Sequence, residues 1–99
     1  MEGNSRISPD VLARYAADAA REVPGVRGIV AGRVPGRRAV RIATEDGALA
    51  VEVHLSVDWG TPIPTVAREV QTRIADHLGR TADSRPARVD VIVEQIGPG

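Results

Sequence analysis

The chain has 99 residues, thirteen basic side chains against thirteen acidic ones, no cysteine, no phenylalanine and a single tryptophan. That length holds one domain with a modest core, and zero net charge leaves no global field to draw in nucleic acid or anionic lipid. The missing cysteine excludes disulfides, thiolate metal sites and a cysteine nucleophile. No apolar run approaches the ~18 residues of a membrane span, and no secretory leader precedes Ile7. The expectation is a cytoplasmic protein without direct membrane insertion.

Ser8-Pro9-Asp10 reads as a helix start: an N-cap, proline at the first helical position, an acid in the first turn. Val11, Leu12, Tyr15, Ala16, Ala19 and Ala20 follow at helical spacing, with Asp10, Arg14 and Asp18 four apart on the opposite side. Pro24-Gly25 ends that helix. Residues 26–31 and 39–44 read as short strands, separated by an arginine-rich loop, and Asp46-Gly47 carries the signal of a tight hairpin. From Leu49 to Trp59 the chain alternates strictly: Leu49, Val51, Val53, Leu55, Val57 and Trp59 on one face, Glu52, His54, Ser56 and Asp58 on the other. This parity predicts that Trp59 plugs the core beneath a second helix.

That helix is expected to open with Thr61 as cap and Pro62 at its first position. Its core stripe is Ile63, Val66, Ala67, Val70, Ile74 and Leu78, with Glu69–Arg73 and Asp76–Arg80 paired outside. Residues 87–96 form a last alternating strand. The order α-β-β-β-α-β predicts an α+β fold, one mixed sheet with both helices packed on one face. The other face, expected to carry Arg27, Ile29, Arg41, Glu52, His54, Ser56, Asp58, Arg88, Asp90, Ile92 and Glu94, is left open to solvent or a partner. The domain is expected to span 7–96, with a disordered tail at 1–6 and a short tail at 97–99.

No catalytic constellation is apparent. His54 and Asp58 lie about 13 Å apart along a strand, too far for a dyad. Glu52 and His54 are adjacent on one face but lack further metal ligands, so His54 reads as solvated or ion-paired. His77 sits near a helix end, where an imidazolium suits the dipole. No serine lies in a nucleophile motif. Neither an enzyme nor a cofactor is expected. Gly25-Val26-Arg27-Gly28 matches the GxxG of KH domains, but it leads into a strand rather than joining two helices. With Arg33, Arg37, Arg38 and Arg41, it makes the 27–41 segment the basis of an alternative reading as a KH-like nucleic-acid binder.

Four segments in order carry a family resemblance: "VLARYAADAAREVPGV", "LAVEVHLSVDWG", "IPTVAREVQTRI" and "ARVDVIVEQI". Together they resemble the alkaline shock protein family of bacterial envelope stress response proteins, with Gly25, Trp59, Gly60 and Gln71 as structural signature positions. The resemblance implies a non-enzymatic cytoplasmic protein that acts in cell-envelope homeostasis. It further implies a protein partner that anchors it at the inner membrane, or self-association. It carries no catalytic residues. The surfaces expected to serve contacts are the arginine-rich loop, through Arg33, Arg37 and Arg38, and the open sheet face, through Ile29, Glu52, His54 and Ile92.

Overall fold

The computed structural model describes residues 7–31 and 38–98. The tail expected at 1–6, and Arg33 and Arg37 of the loop, lie outside the described residues. The elements are α1 (Pro9–Arg21), β1 (Val26–Ile29), β2 (Val40–Glu45), β3 (Ala48–Val57), α2 (Ile63–Thr81) and β4 (Arg88–Ile96). They form the α+β arrangement the patterning predicts.

In α1 the Ser8 hydroxyl accepts a hydrogen bond from the Val11 N–H, with Pro9 in the first turn, as the N-cap pattern requires. Leu12, Ala16, Ala17, Ala19 and Ala20 are buried. A face built from alanine lets α1 lie close to α2 and the sheet. The expected ladder through Arg14 is replaced by longer-range and neighbouring pairs: Asp10 meets Arg38 at 2.6 Å and Asp18 meets Arg21 at 3.0 Å.

β3 is the centre of the sheet. It pairs antiparallel with β2 through residues 48–53 and with β1 through residues 55–57. Its other edge pairs in parallel with β4 through residues 50–57. β1 and β2 therefore share one edge of β3 end to end, and the sheet is mixed. Asp46 and Gly47 take φ values of 51° and 78°, the two positive angles that a tight two-residue hairpin between β2 and β3 demands. α2 then makes the crossover that a parallel β3–β4 pair needs. Its Val66, Val70, Ile74 and Leu78, one every four residues, are buried against Val51, Val53, Leu55 and Val57 in a single core.

Gly25 ties three elements together. Its φ of 98° and the approach of Thr61 and Val66 leave no room for a side chain: a Cβ there would lie 2.8 Å from Thr61 Cγ2 and 3.0 Å from Val66 Cγ2. Its carbonyl also accepts the Asp58 N–H at 2.8 Å, holding the end of β3. Gly25→Ala is expected to destabilise the fold by roughly 1–3 kcal/mol, from the strained φ and the crowding combined. An unchanged urea midpoint would contradict this reading of the corner.

Three sequence expectations are corrected here. Ile29 does not face the open side of the sheet. Val26 pairs with Val57 but Gly28 pairs with Ser56, so a bulge at Arg27 shifts the register. One extra residue flips every later side chain, and Ile29 joins the helix-side core. Thr61 does not cap α2. Pro62 is the N-cap residue and makes no side-chain cap bond, while the Thr61 side chain packs over Gly25. Trp59 is not a core plug: it is 69% exposed. β3 ends at Val57, and the Thr61 N–H donates to the Asp58 carbonyl at 3.2 Å, closing a β-turn with Trp59 and Gly60 at its centre. Gly60, at φ 83°, supplies the positive angle that a type II turn needs at its third residue. Strand parity stops there, and the indole stands on the outside of the turn.

Candidate functional site

Two features of the described residues stand out. One is a string of charged side chains on the helix-free face. The other is an apolar corner where β3 and β4 end.

On the helix-free face Arg41 of β2 lies 3.6 Å from Glu52 of β3, Glu52 lies 2.8 Å from His54 Nε2, and His54 Nδ1 lies 2.6 Å from Glu94 of β4. A second string joins Glu45, Arg88 and Asp90, each contact 3.0 Å long. His54 is buried although no helix covers it, so of the two readings the sequence leaves open, solvated or ion-paired, the ring takes the ion-paired one. Its backbone is equally engaged: the His54 N–H donates to Ala39 and its carbonyl accepts from Val30. Burial disfavours the charged ring, but hydrogen bonds from the ring to Glu52 and Glu94, and their charges, outweigh it and raise the pKa above 6.5. Both ring nitrogens are engaged by carboxylates, so the ring offers no free base to a substrate. Among the described residues no group of three His, Asp or Glu side chains could hold a metal ion.

The remaining candidate residues fall elsewhere. Ile92 sits on the same face, directly opposite His54. Arg38 is held by Asp10, and the Arg27 side chain occupies the space that a Cβ on Gly97 would need. The described arginines of the 27–41 segment therefore point to three different neighbours rather than to one basic surface. The GxxG stretch joins α1 to β1, a helix stop followed by a strand. His77 meets the edge of the Tyr15 ring, with centroids 5.7 Å apart, and lies 3.3 Å from the Thr81 hydroxyl, serving the α1–α2 contact.

Gln71 has a structural part that its sequence position alone does not reveal. Its side-chain amide donates to the Val89 carbonyl at 3.0 Å. β3 is the one strand paired with β4 among the described residues, so this bond ties α2 to the last strand of the sheet. Gln71→Ala is expected to cost about 0.5–1.5 kcal/mol, read as a lower urea midpoint with an unchanged slope.

The apolar corner was not visible in the sequence as a site. Among the described residues, Trp59, 69% exposed, and Ile96, 50% exposed, are the large hydrophobic side chains left in solvent. Ile96 lies opposite Val57, two residues before Trp59, so both stand at the same end of β3. Pro62 and Pro64 at the start of α2 and Pro98 after β4 are also exposed there. The available signal was Trp59-Gly60 itself: a glycine directly after an aromatic is a turn cue that competes with strand parity.

Comparison with solved structures places the fold in a known class. A histidine-to-alanine variant of the MamM CTD superposes with a TM-score of 0.63 at 19% identity, covering 89% of this chain and 98% of that one. A valine-to-arginine variant of MamM gives 0.65 at 18% identity over 91% and 99%. A manganese form of a MamM CTD variant gives 0.61 at 18% identity over 87% and 96%. The molecule is thus a two-layer α+β domain of the architecture shared with these domains. At the level of sequence, the pattern of the alkaline shock protein 23 family, described by its cell envelope-related function, matches residues 1–98, and the chain belongs to that family. No match was found among curated proteins. No helix among the described residues is long and apolar enough to cross a membrane.

Proposed function

We propose that this chain is a non-enzymatic protein-interaction module of cell-envelope homeostasis, and that it meets its partner through the Trp59–Ile96 corner. The observation that carries the reading is the exposure of its one tryptophan. A tryptophan in solvent contributes little to the fold, whereas buried in a partner it is the side chain most often found to dominate an interface. Exposed apolar surface at one place, rimmed by polar residues, marks contact sites more often than scattered single residues do. The helix-free face flanks this corner, and its Glu52 and His54 would form a polar border beside Ile92. Family membership supports an envelope-related role, and the family resemblance favours an anchoring protein at the inner membrane as the partner, with self-association through the same corner as the variant of the idea. No observation favours the nucleic-acid reading, because the described arginines do not converge.

The test is fractionation of cells carrying the tagged chain, with mild crosslinking. The expected result is recovery with the envelope fraction, released by protease treatment of that fraction. Uniform recovery as a free monomer, in resting and stressed cells alike, would count against the proposal.

A further inference from the structure

His54 is buried on a face that no helix covers, between two carboxylates at 2.8 and 2.6 Å. Only the imidazolium carries two N–H groups; a neutral ring has one donor and one lone pair. The arrangement is therefore satisfied in the charged form alone. Once the proton leaves, one of the two carboxylates faces a ring lone pair. The charged neighbours come from every strand. Glu52 is on β3 itself, with Arg41 of β2 beside it. On β4, Glu94 bonds the ring and Asp90 lies opposite Glu52. From β1, Arg27 is turned toward Gly97.

Glu94 holds a particular place in β4. Leu55 pairs with Val93, but Ser56 pairs with Gln95 and Val57 with Ile96. Glu94 is thus the extra residue of a bulge, and the register that seats Ile96 depends on it. The Gly97 N–H donates to the Val57 carbonyl at 2.6 Å just beyond.

We propose that His54 is a proton-controlled latch: as the imidazolium it fastens the bulged end of β4 to β3 and seats Ile96, and on losing its proton it releases that end. The consequence for partner binding rests on the Trp59–Ile96 corner being the contact surface; the latch itself does not. The direction is set by linkage. The folded pKa lies above the ordinary 6.5, so the latch is fully present below about pH 6.5 and is lost as the pH rises through the folded pKa.

The experiment uses the chain alone. Ring-nitrogen NMR follows the protonation of His54, with His77 in the same spectrum. Amide hydrogen exchange, corrected for intrinsic rates, follows Gly97, whose N–H donates to the Val57 carbonyl. The expected result is a His54 midpoint above 6.5, with protection at the Gly97 amide falling through the same midpoint. The fall should be about tenfold for each unit by which the folded pKa exceeds the unfolded one, while Val51 and Val53 keep their protection. Glu94→Gln retains the shape of the side chain without its charge and should lower both midpoints together. A midpoint at or below 6.5, protection at Gly97 that ignores the titration, or a Glu94→Gln shift in one midpoint alone would overturn the latch. Envelope recovery that is lost in Trp59→Ala yet constant across the titration would overturn the coupling to Ile96 and leave the corner intact.

Discussion

Leu55→Ala is expected to lower the unfolding free energy by about 2–5 kcal/mol, read as a large drop in urea midpoint with an unchanged slope. Leu55 is fully buried near the C-terminal end of β3, and the core it shares is made of valines, alanines, two further leucines and Ile74. The interior is close-packed, so the neighbours of Leu55 fill the vacated space only in part. A domain of this size holds on the order of 5–15 kcal/mol in total, so the variant sits close to unfolding at the lower end of that range. A loss under about 1 kcal/mol would mean that the core collapses readily around the site, contrary to the packing described.

Trp59→Ala is expected to do the reverse. Stability should stay within about 0.5 kcal/mol of the parent, as for surface positions in general, whereas recovery with the envelope partner should fall at least tenfold, the loss of a residue contributing more than about 1.4 kcal/mol to an interface. The parent chain offers a second reading of the same point. Its single tryptophan should emit like indole in water and be quenched freely by acrylamide, then lose that access when the partner binds. A blue-shifted, protected emission in the free chain would place the ring in a core and overturn the corner.

Much of the fold was legible because it is written in local patterns. Ser8-Pro9-Asp10 marks the start of α1, Asp46-Gly47 marks the hairpin, and period-two and near-four-residue repeats mark β3 and α2. Each depends only on neighbours a few residues apart. The failures share the opposite character. The face of Ile29 turns on a bulge at Arg27, set by how a four-residue strand docks on β3, and nothing inside "VRGI" announces it. Strand parity fails for Trp59 because the chain leaves β3 at Val57 and turns at Gly60. The contact of His54 with Glu94 spans 40 residues and exists only because β4 lies parallel beside β3 with its own bulge. The sharing of one β3 edge by β1 and β2 is equally non-local. For the site, the sequence placed Glu52, His54 and Ile92 on one face correctly, but it hid Ile96 because its neighbour at the corner comes from another strand.

The exposed apolar surface lies at the corner where β3 and β4 end, among the described residues. The signature residues are of two kinds. Gly25 and Gln71 hold elements together, one by the space it leaves and the other by a bond from α2 to β4. Gly60 shapes the turn that turns Trp59 outward. Family membership gives the chain a cell envelope-related setting, and the exposed tryptophan is where the proposed contact would be made.

The most direct test is site-specific photo-crosslinking in intact cells, with a benzophenone side chain at position 59 and, as control, at exposed Thr72 on the outer face of α2. The account predicts one discrete adduct from position 59 that sediments with the envelope, no such adduct from position 72, and loss of the adduct when Ile96 is changed to Asp. Equal labelling from both positions, or no adduct from position 59 in cells where the chain sediments with the envelope, would contradict it.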